Sequence, residues 1–329
     1  MRPGLIDLAA ARAGGRALSA SDEFFASKSN LLKPGRGVFL EGKYTSRGKW
    51  MDGWETRRRR TPGFDWCIIQ LGVPGVIRAV TVDTHHFKGN HPEACSLTAA
   101  ALAAVPKAAA LKRAAQHWPE ILTKSPLGPD RENEFLVSGD ARATHLRLHI
   151  YPDGGVARLR LWGEARPDWS RLRARPGPID LVAVQHGGVP LAASDEFFSE
   201  PINLLMPGPS VDMGDGWETR RRRGPGHDWV IIRLGSRGTV HEVVVDTAHF
   251  KGNFPESCRL EACDAPDLDP VAVPDERRPW RELVPRTKLR GDRTHRFRAV
   301  GRSGPVTHVR FNIFPDGGVA RLRVFGRPV

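Results

Sequence analysis

Cysteine is scarce in this 329-residue chain: there are four, Cys67, Cys95, Cys258 and Cys263, and no two form a CxxC pair. With no histidine at zinc-finger spacing either, a disulfide scaffold and a structural zinc site are both excluded, and a reducing compartment is expected. No uncharged apolar run approaches the ~20 residues that cross a bilayer. At the N-terminus, "MRPGLIDLAAARAGGRALSASDEFF" has its apolar residues interrupted by Asp7, Arg12 and Arg16, which leaves no core for a secretory signal. The expectation is a cytoplasmic protein with no membrane partner. Long amphipathic helices are also lacking. The best helical stretch is Ala103 to Trp118, and "DAPDLDPVAVPDERRPW" in the second half is too rich in proline to match it.

Acidic residues are outnumbered, 37 against 50 Lys and Arg, for a net charge of +13. Such an excess suits a nucleic-acid or anionic partner. A chain rich in Arg, Ala, Gly and Pro also acquires basic residues from coding bias alone. The four-arginine runs are short, flanked by acidic residues and without interleaved stacking aromatics, so no nucleic-acid partner is expected.

What the chain does contain, it contains twice. "DGWETRRRRTPGFDWCIIQLG" from Asp52 and "DGWETRRRRGPGHDWVIIRLG" from Asp215 differ at four positions. The segment from Ile6 to Gly35 matches Ile179 to Gly208 at an offset of 173, and the later motifs match at 163, so the first copy holds ten extra residues between Gly35 and Asp52. Containing "YTSRGKW", they read as a longer loop. "VDTHHFKGNHPEACSL" from Val82 pairs with "VDTAHFKGNFPESCRL" from Val245, and "THLRLHIYPDGGVARLRLWG" from Thr144 with "THVRFNIFPDGGVARLRVFG" from Thr307. A repeat this long is a domain with its own core, not a solenoid unit. The boundaries fall at 1–165 and 177–329, with a Pro- and Arg-rich linker over 166–176.

Within a copy the pattern is β. Leu146, Leu148 and Ile150 alternate with Arg147 and His149, and Val309, Phe311 and Ile313 with Arg310 and Asn312, which is the signature of a half-buried strand. "PDGG" then reads as a turn into a hairpin-like final strand. "WCIIQLG", "VIRAVTVDT", "WVIIRLG" and "VHEVVVDT" are further short runs bounded by Gly and Pro. The fold class is all-β, one antiparallel sandwich per copy.

"SDEFF", "DGWETRRRR", "VDTxHFKGNxPExC" and "PDGGVARLRxxG", each present twice between Ile6 and Gly326, resemble the allantoicase family. The resemblance implies two tandem jelly-roll, galactose-binding-like domains, conversion of allantoate and water to ureidoglycolate and urea, and a homo-oligomer, trimer or hexamer. The substrate is a carboxylate whose central carbon bears two ureido arms. Removing urea from it needs a cation for the carboxylate and a general acid and base, with no obligatory metal or other cofactor.

Glu55 and Glu218 are the carboxyl candidates, with Arg57 and Arg220 as clamps. In an extended chain Glu55, Arg57 and Arg59 share a face, and a mutually paired strand edge is the alternative reading. His86 and His249 are candidates for proton exchange near neutrality, and Lys88 and Lys251 for an anion. Alternatively Asp83 and His86 satisfy one another. Asp153 and Asp316 are weighed as substrate ligands against turn residues, with Arg158 and Arg321 beside them on the next strand. His85 and His91 have Ala248 and Phe254 as counterparts, so no metal site is expected in both copies. In "SDEFF" the aromatic pair is expected to anchor the segment to the core, and Ser21 lacks a nucleophile-elbow context. The alternative function is a non-catalytic jelly-roll protein that binds a carbohydrate or small anion.

Overall fold

The computed structural model describes residues 4–267, 279–300 and 304–329, and the chain divides between Arg166 and Pro167. The first unit runs through β1 (Ile6–Asp7), β2 (Arg16–Ala20), β3 (Tyr44–Thr45), β4 (Gly48–Lys49), β5 (Trp54–Glu55), β6 (Asp65–Asp83), β7 (Ala94–Ala100), helix α1 (Ala108–Ala114), β8 (Glu120–Pro126), β9 (Glu132–Leu136), β10 (Arg142–Tyr151), β11 (Gly155–Val156) and β12 (Arg158–Ala165). The second begins with helix α2 (Trp169–Arg173), capped by the Asp168 carboxylate, within the segment read as linker. It continues through β13 (Ile179–Asp180), β14 (Val189–Ala193), β15 (Trp217–Glu218), β16 (Asp228–Asp246), β17 (Ser257–Cys263), β18 (Arg281–Lys288), β19 (Thr294–Arg298), β20 (Val306–Phe314), β21 (Gly318–Val319) and β22 (Arg321–Pro328).

Each unit is a jelly-roll sandwich hung on one 19-residue strand, β6 or β16. "WCIIQLG" and "VIRAVTVDT" are the two ends of β6, where two separate strands were expected. Cys67–Gln70 lies between β2 and β10, and Ala79–Asp83 lies between β9 and β12. The bend between them is "GVPG", where Pro74 offers no ladder donor and Gly75 admits the neighbouring strand: a Cβ there would stand 2.2 Å from the Glu164 carbonyl. Sheet order is β1-β12-β6-β10-β7-β8, repeated in the second unit as β13-β22-β16-β20-β17-β18.

That order corrects the hairpin expected at "PDGG": β10 and β12 flank β6 and do not pair. β11 pairs with β5 instead. The alternation of β10 does set the core, since Leu146, Leu148 and Ile150 are wholly buried. The opposite face is covered as well, with His149 against Phe64, Arg147 over Trp66, and α1 placing Leu111 and Ala115 beside Ile68. The helix is shorter than Ala103 to Trp118, and most of its second-copy counterpart lies outside the described residues.

Candidate active site

Two buried aromatics per unit fix the site segments. Trp54, fully buried, donates its indole N–H to the Asp22 carbonyl at 2.8 Å, and β5 pairs Glu55 with Gly155. Trp217 does the same with Asp195 at 2.9 Å. The loop after β6 is plugged by Phe87, 1% exposed, whose ring abuts the "PDGG" turn. A Cβ at Gly155 would fall 1.9 Å from that ring, and Gly154 has φ +135°, so both glycines are required by packing and backbone. Gly317, Gly318 and Phe250 repeat the arrangement.

On this base Glu55 meets Asn90. The Asn90 amide donates to Glu55 Oε1 at 2.7 Å, and Asn253 to Glu218 Oε1 at 2.6 Å. Burial pushes the Glu55 carboxyl above its ordinary range, and the Asn90 bond opposes that shift in part. His86 sits in the left-handed region at φ 69°, held by a hydrogen bond from its N–H to Asp130 Oδ1 at 2.8 Å. Its Nε2 lies 3.1 Å from the Gly37 carbonyl. Because a carbonyl only accepts, Nε2 carries the proton of that bond, which leaves Nδ1 as the other ring nitrogen. His249 repeats this with Asp292 at 2.9 Å and the Ser210 carbonyl at 3.0 Å.

In the first unit Glu55, His86, Lys88 and Asn90 line one pocket of about 430 Å³, walled also by Phe25, Phe39, Lys49 and Met51. Three candidates from two distant motifs are thus brought together. Lys88 lies on the rim, 3.6 Å from the Asp130 carboxylate. Asn90 was quoted in the motif without a role; its spacing from His86 on one loop was the available signal.

The arginine candidates lie elsewhere. β5 ends at Glu55, so the shared face expected for Glu55, Arg57 and Arg59 is not built. Arg57 pairs with Asp22 at 2.8 Å above the Phe24 ring, and Arg220 pairs with Asp195 at 2.8 Å above Phe197. Arg158 is buried, 2.5 Å from Asp52 Oδ2, and also donates to the Asp52, Ala157 and Arg36 carbonyls. Arg321 is likewise buried against Asp215 at 2.7 Å. Asp153 and Asp316 accept the backbone N–H of Arg59 and Arg222, each at 2.7 Å, which ties turn to string. Asp83 bonds the His85 ring at 2.7 Å, not His86.

In the second copy the aromatic pair of "SDEFF" does not anchor the core, since Phe197 and Phe198 are each about three-fifths exposed, while in the first copy Phe25 is half-buried. Ser21 donates to Asp65 at 2.8 Å. The cysteines are buried, and burial pushes the Cys95 and Cys258 thiols up to about 12, which makes them inert. Among the described residues one trio has metal-ligand atoms within 4.8 Å of one another: Asp83, His85 and Glu132. In the second unit the corresponding positions are Asp246, Ala248 and Thr294.

A carboxyl, an imidazole and cations about a small pocket, on a doubled jelly roll, are the equipment of a hydrolase for a small polar molecule. Residues 6–166 and 179–329 each match the allantoicase repeat. The chain belongs to the allantoicase family. It is 48% identical over 324 residues to a probable allantoicase of Pseudomonas paraeruginosa, covering 98% of this chain and 96% of that one. A probable allantoicase of Burkholderia mallei is 47% identical over 323 residues, covering 98% and 94%. The crystal structure of allantoicase from Saccharomyces cerevisiae superimposes with a TM-score of 0.83 at 37% identity, covering 99% of this chain and 94% of that one.

Proposed function

We propose that this chain hydrolyses allantoate to ureidoglycolate and urea, with Glu55 as the proton-transfer group of the first unit. The observation that carries the reading is the convergence of Glu55, Asn90, His86 and Lys88 on one pocket. Protonated Glu55 donates to the nitrogen of the departing urea while the remaining ureido nitrogen pushes its lone pair toward the central carbon, and the carbon–nitrogen bond breaks. Water then adds to that carbon and returns a proton to the Glu55 carboxylate, which closes the balance on a single group. Burial raises the Glu55 pKa, which favours the protonated form that this step uses. Asn90 fixes Oε1 and leaves Oε2 to act, and the His86 Nδ1 lone pair accepts from a ureido N–H. Lys88, on the rim, draws the anionic substrate toward the pocket. Glu218, His249, Lys251 and Asn253 form the corresponding set in the second unit.

No metal is required by this route. A cytoplasmic location is supported by four free, buried cysteines, and no helix among the described residues is long and apolar enough to cross a membrane. The exposed Phe197, Phe198 and Val211 are apolar surface that homo-oligomerisation would cover, and sedimentation velocity would distinguish the trimer or hexamer expected from the family resemblance from a monomer. Purified protein given allantoate is expected to release urea; ammonia in its place would refute the reading.

A further inference from the structure

The ten extra residues of the first copy do more than lengthen a loop. They carry the β3–β4 hairpin, closed by Tyr44 opposite Lys49 and Thr45 opposite Gly48. Arg47 donates to the Phe24 carbonyl at 3.0 Å and the Trp50 N–H to the Lys43 carbonyl at 3.0 Å. Phe39 stacks on His86, ring centroids 5.6 Å apart. The segment is therefore a fixed wall of the pocket. It aims one cation inward: Lys49 Nζ stands 4.4 Å from the Phe39 ring centroid and lines the cavity with Glu55 and His86. Among the described residues no carboxylate lies within ion-pair distance of Lys49, whereas Lys88 is partly neutralised by Asp130 and Arg57 is held by Asp22.

The second unit has no such wall. Its equivalent stretch, "GPSVDMGDG" from Gly208, contains no cation. Val211 is 78% exposed, Met213 Sδ lies 3.8 Å from the Asn253 amide, and Phe198, the counterpart of pocket-lining Phe25, is 61% exposed.

We propose that Lys49, delivered by the insertion, is the residue that holds the substrate carboxylate, and that the first unit is consequently the one that turns substrate over. The inference rests on the hydrolase reading above and adds to it the binding residue and the division of work between the copies. Phe39 holds the Lys49 ammonium itself by a cation–π contact, so the charge is oriented before substrate arrives. Its point charge acts on ground state and transition state alike, because the carboxylate is retained throughout the reaction.

The test uses the full chain. Urea release by the unaltered protein is read first, and its absence would defeat the hydrolase reading itself. Given release, Lys49→Ala is expected to raise KM for allantoate by roughly 10- to 100-fold with little change in kcat, as the loss of a charged hydrogen bond that binds both states equally predicts. Lys49→Arg restores much of the loss. Lys43→Ala, which removes another exposed lysine from the same hairpin, leaves KM unchanged and controls for bulk charge. Inhibition by the methyl ester of allantoate, which lacks the negative charge, is expected to be equal in the unaltered and Lys49→Ala proteins. An unchanged KM in Lys49→Ala, or an equal loss of affinity for the ester, would overturn the assignment of Lys49. A residual kinetic component with the original KM would show an independent second site and overturn the division of work.

Discussion

Replacing Glu55 by Gln separates chemistry from structure in one substitution. The glutamine carbonyl occupies the place of Oε1, so the 2.7 Å bond from Asn90 is retained and the loop after β6 has no reason to move. What disappears is the transferable proton. Loss of a general acid–base group lowers turnover by roughly 10²–10⁴-fold, which is about 2.7–5.5 kcal/mol of barrier. Stability should move the other way. Glu55 has its pKa raised by burial, so the folded state binds this proton more tightly than the unfolded chain does. Its contribution to folding is therefore present below the ordinary carboxylate value of 4.5 and is lost as pH rises through the raised folded value. At neutral pH the variant, with no charge to desolvate, is expected to melt at or above the temperature of the unaltered protein, and the difference should vanish below pH 4.5. In the unaltered protein kcat should fall on the alkaline side of the raised value as the acid form is lost, and the variant should lack that limb. Urea release across pH and thermal unfolding at pH 4 and pH 7 read all three. A folded Glu55→Gln protein with unreduced turnover, or one that melts well below the unaltered protein at pH 7, would refute the reasoning.

Asn90→Ala removes the bond that opposes the rise of the Glu55 pKa, so the alkaline limb should shift to higher pH and activity should fall by roughly 10-fold; an unmoved limb counts against the pairing. Arg158→Ala removes the buried partner of Asp52, which keeps Lys33 and the Val38 N–H, and is expected to destabilise the first unit by about 1–3 kcal/mol in denaturant unfolding; a loss below about 0.5 kcal/mol would show that pair to be dispensable. Exhaustive chelation is expected to leave activity intact. Reversible loss restored by one divalent ion would point to Asp83, His85 and Glu132, and His85→Ala should then reproduce it.

The duplication, the sandwich class and the β content were legible because period-two patterning and internal identity are properties of the chain alone. The path of the strands was not. "GVPG" reads as a turn between two strands, yet here it is the bend of a single strand whose ends serve both layers, and "PDGG" leads away from β10 to a partner across β6. Glu55 and His86 were legible as acid–base side chains repeated in both copies, but their convergence on one pocket depends on Phe87 and Trp54, whose burial no spacing announces. The arginines of the string stand away from the pocket because the extended strand ends at Glu55. Once the strand ends there, Asp22 captures Arg57, and the pocket's cations are lysines. Lys49 has no counterpart in the second copy, so identity between the halves does not mark it.

The phenylalanine seated against the double glycine bears on how such a chain ages in evolution. Phe250 and Gly318 must stay matched for the second jelly roll to close, whether or not any molecule is ever transformed beside them. Mutational drift at Phe250, Gly317 or Gly318 is thus opposed by misfolding before lost turnover could act, whereas Lys251 and Gly252 of the same loop carry no such packing constraint. In a half retired from chemistry the packed part of the signature would outlast the rest, so the phenylalanine and paired glycines report a domain that folds, and their polar neighbours one that works.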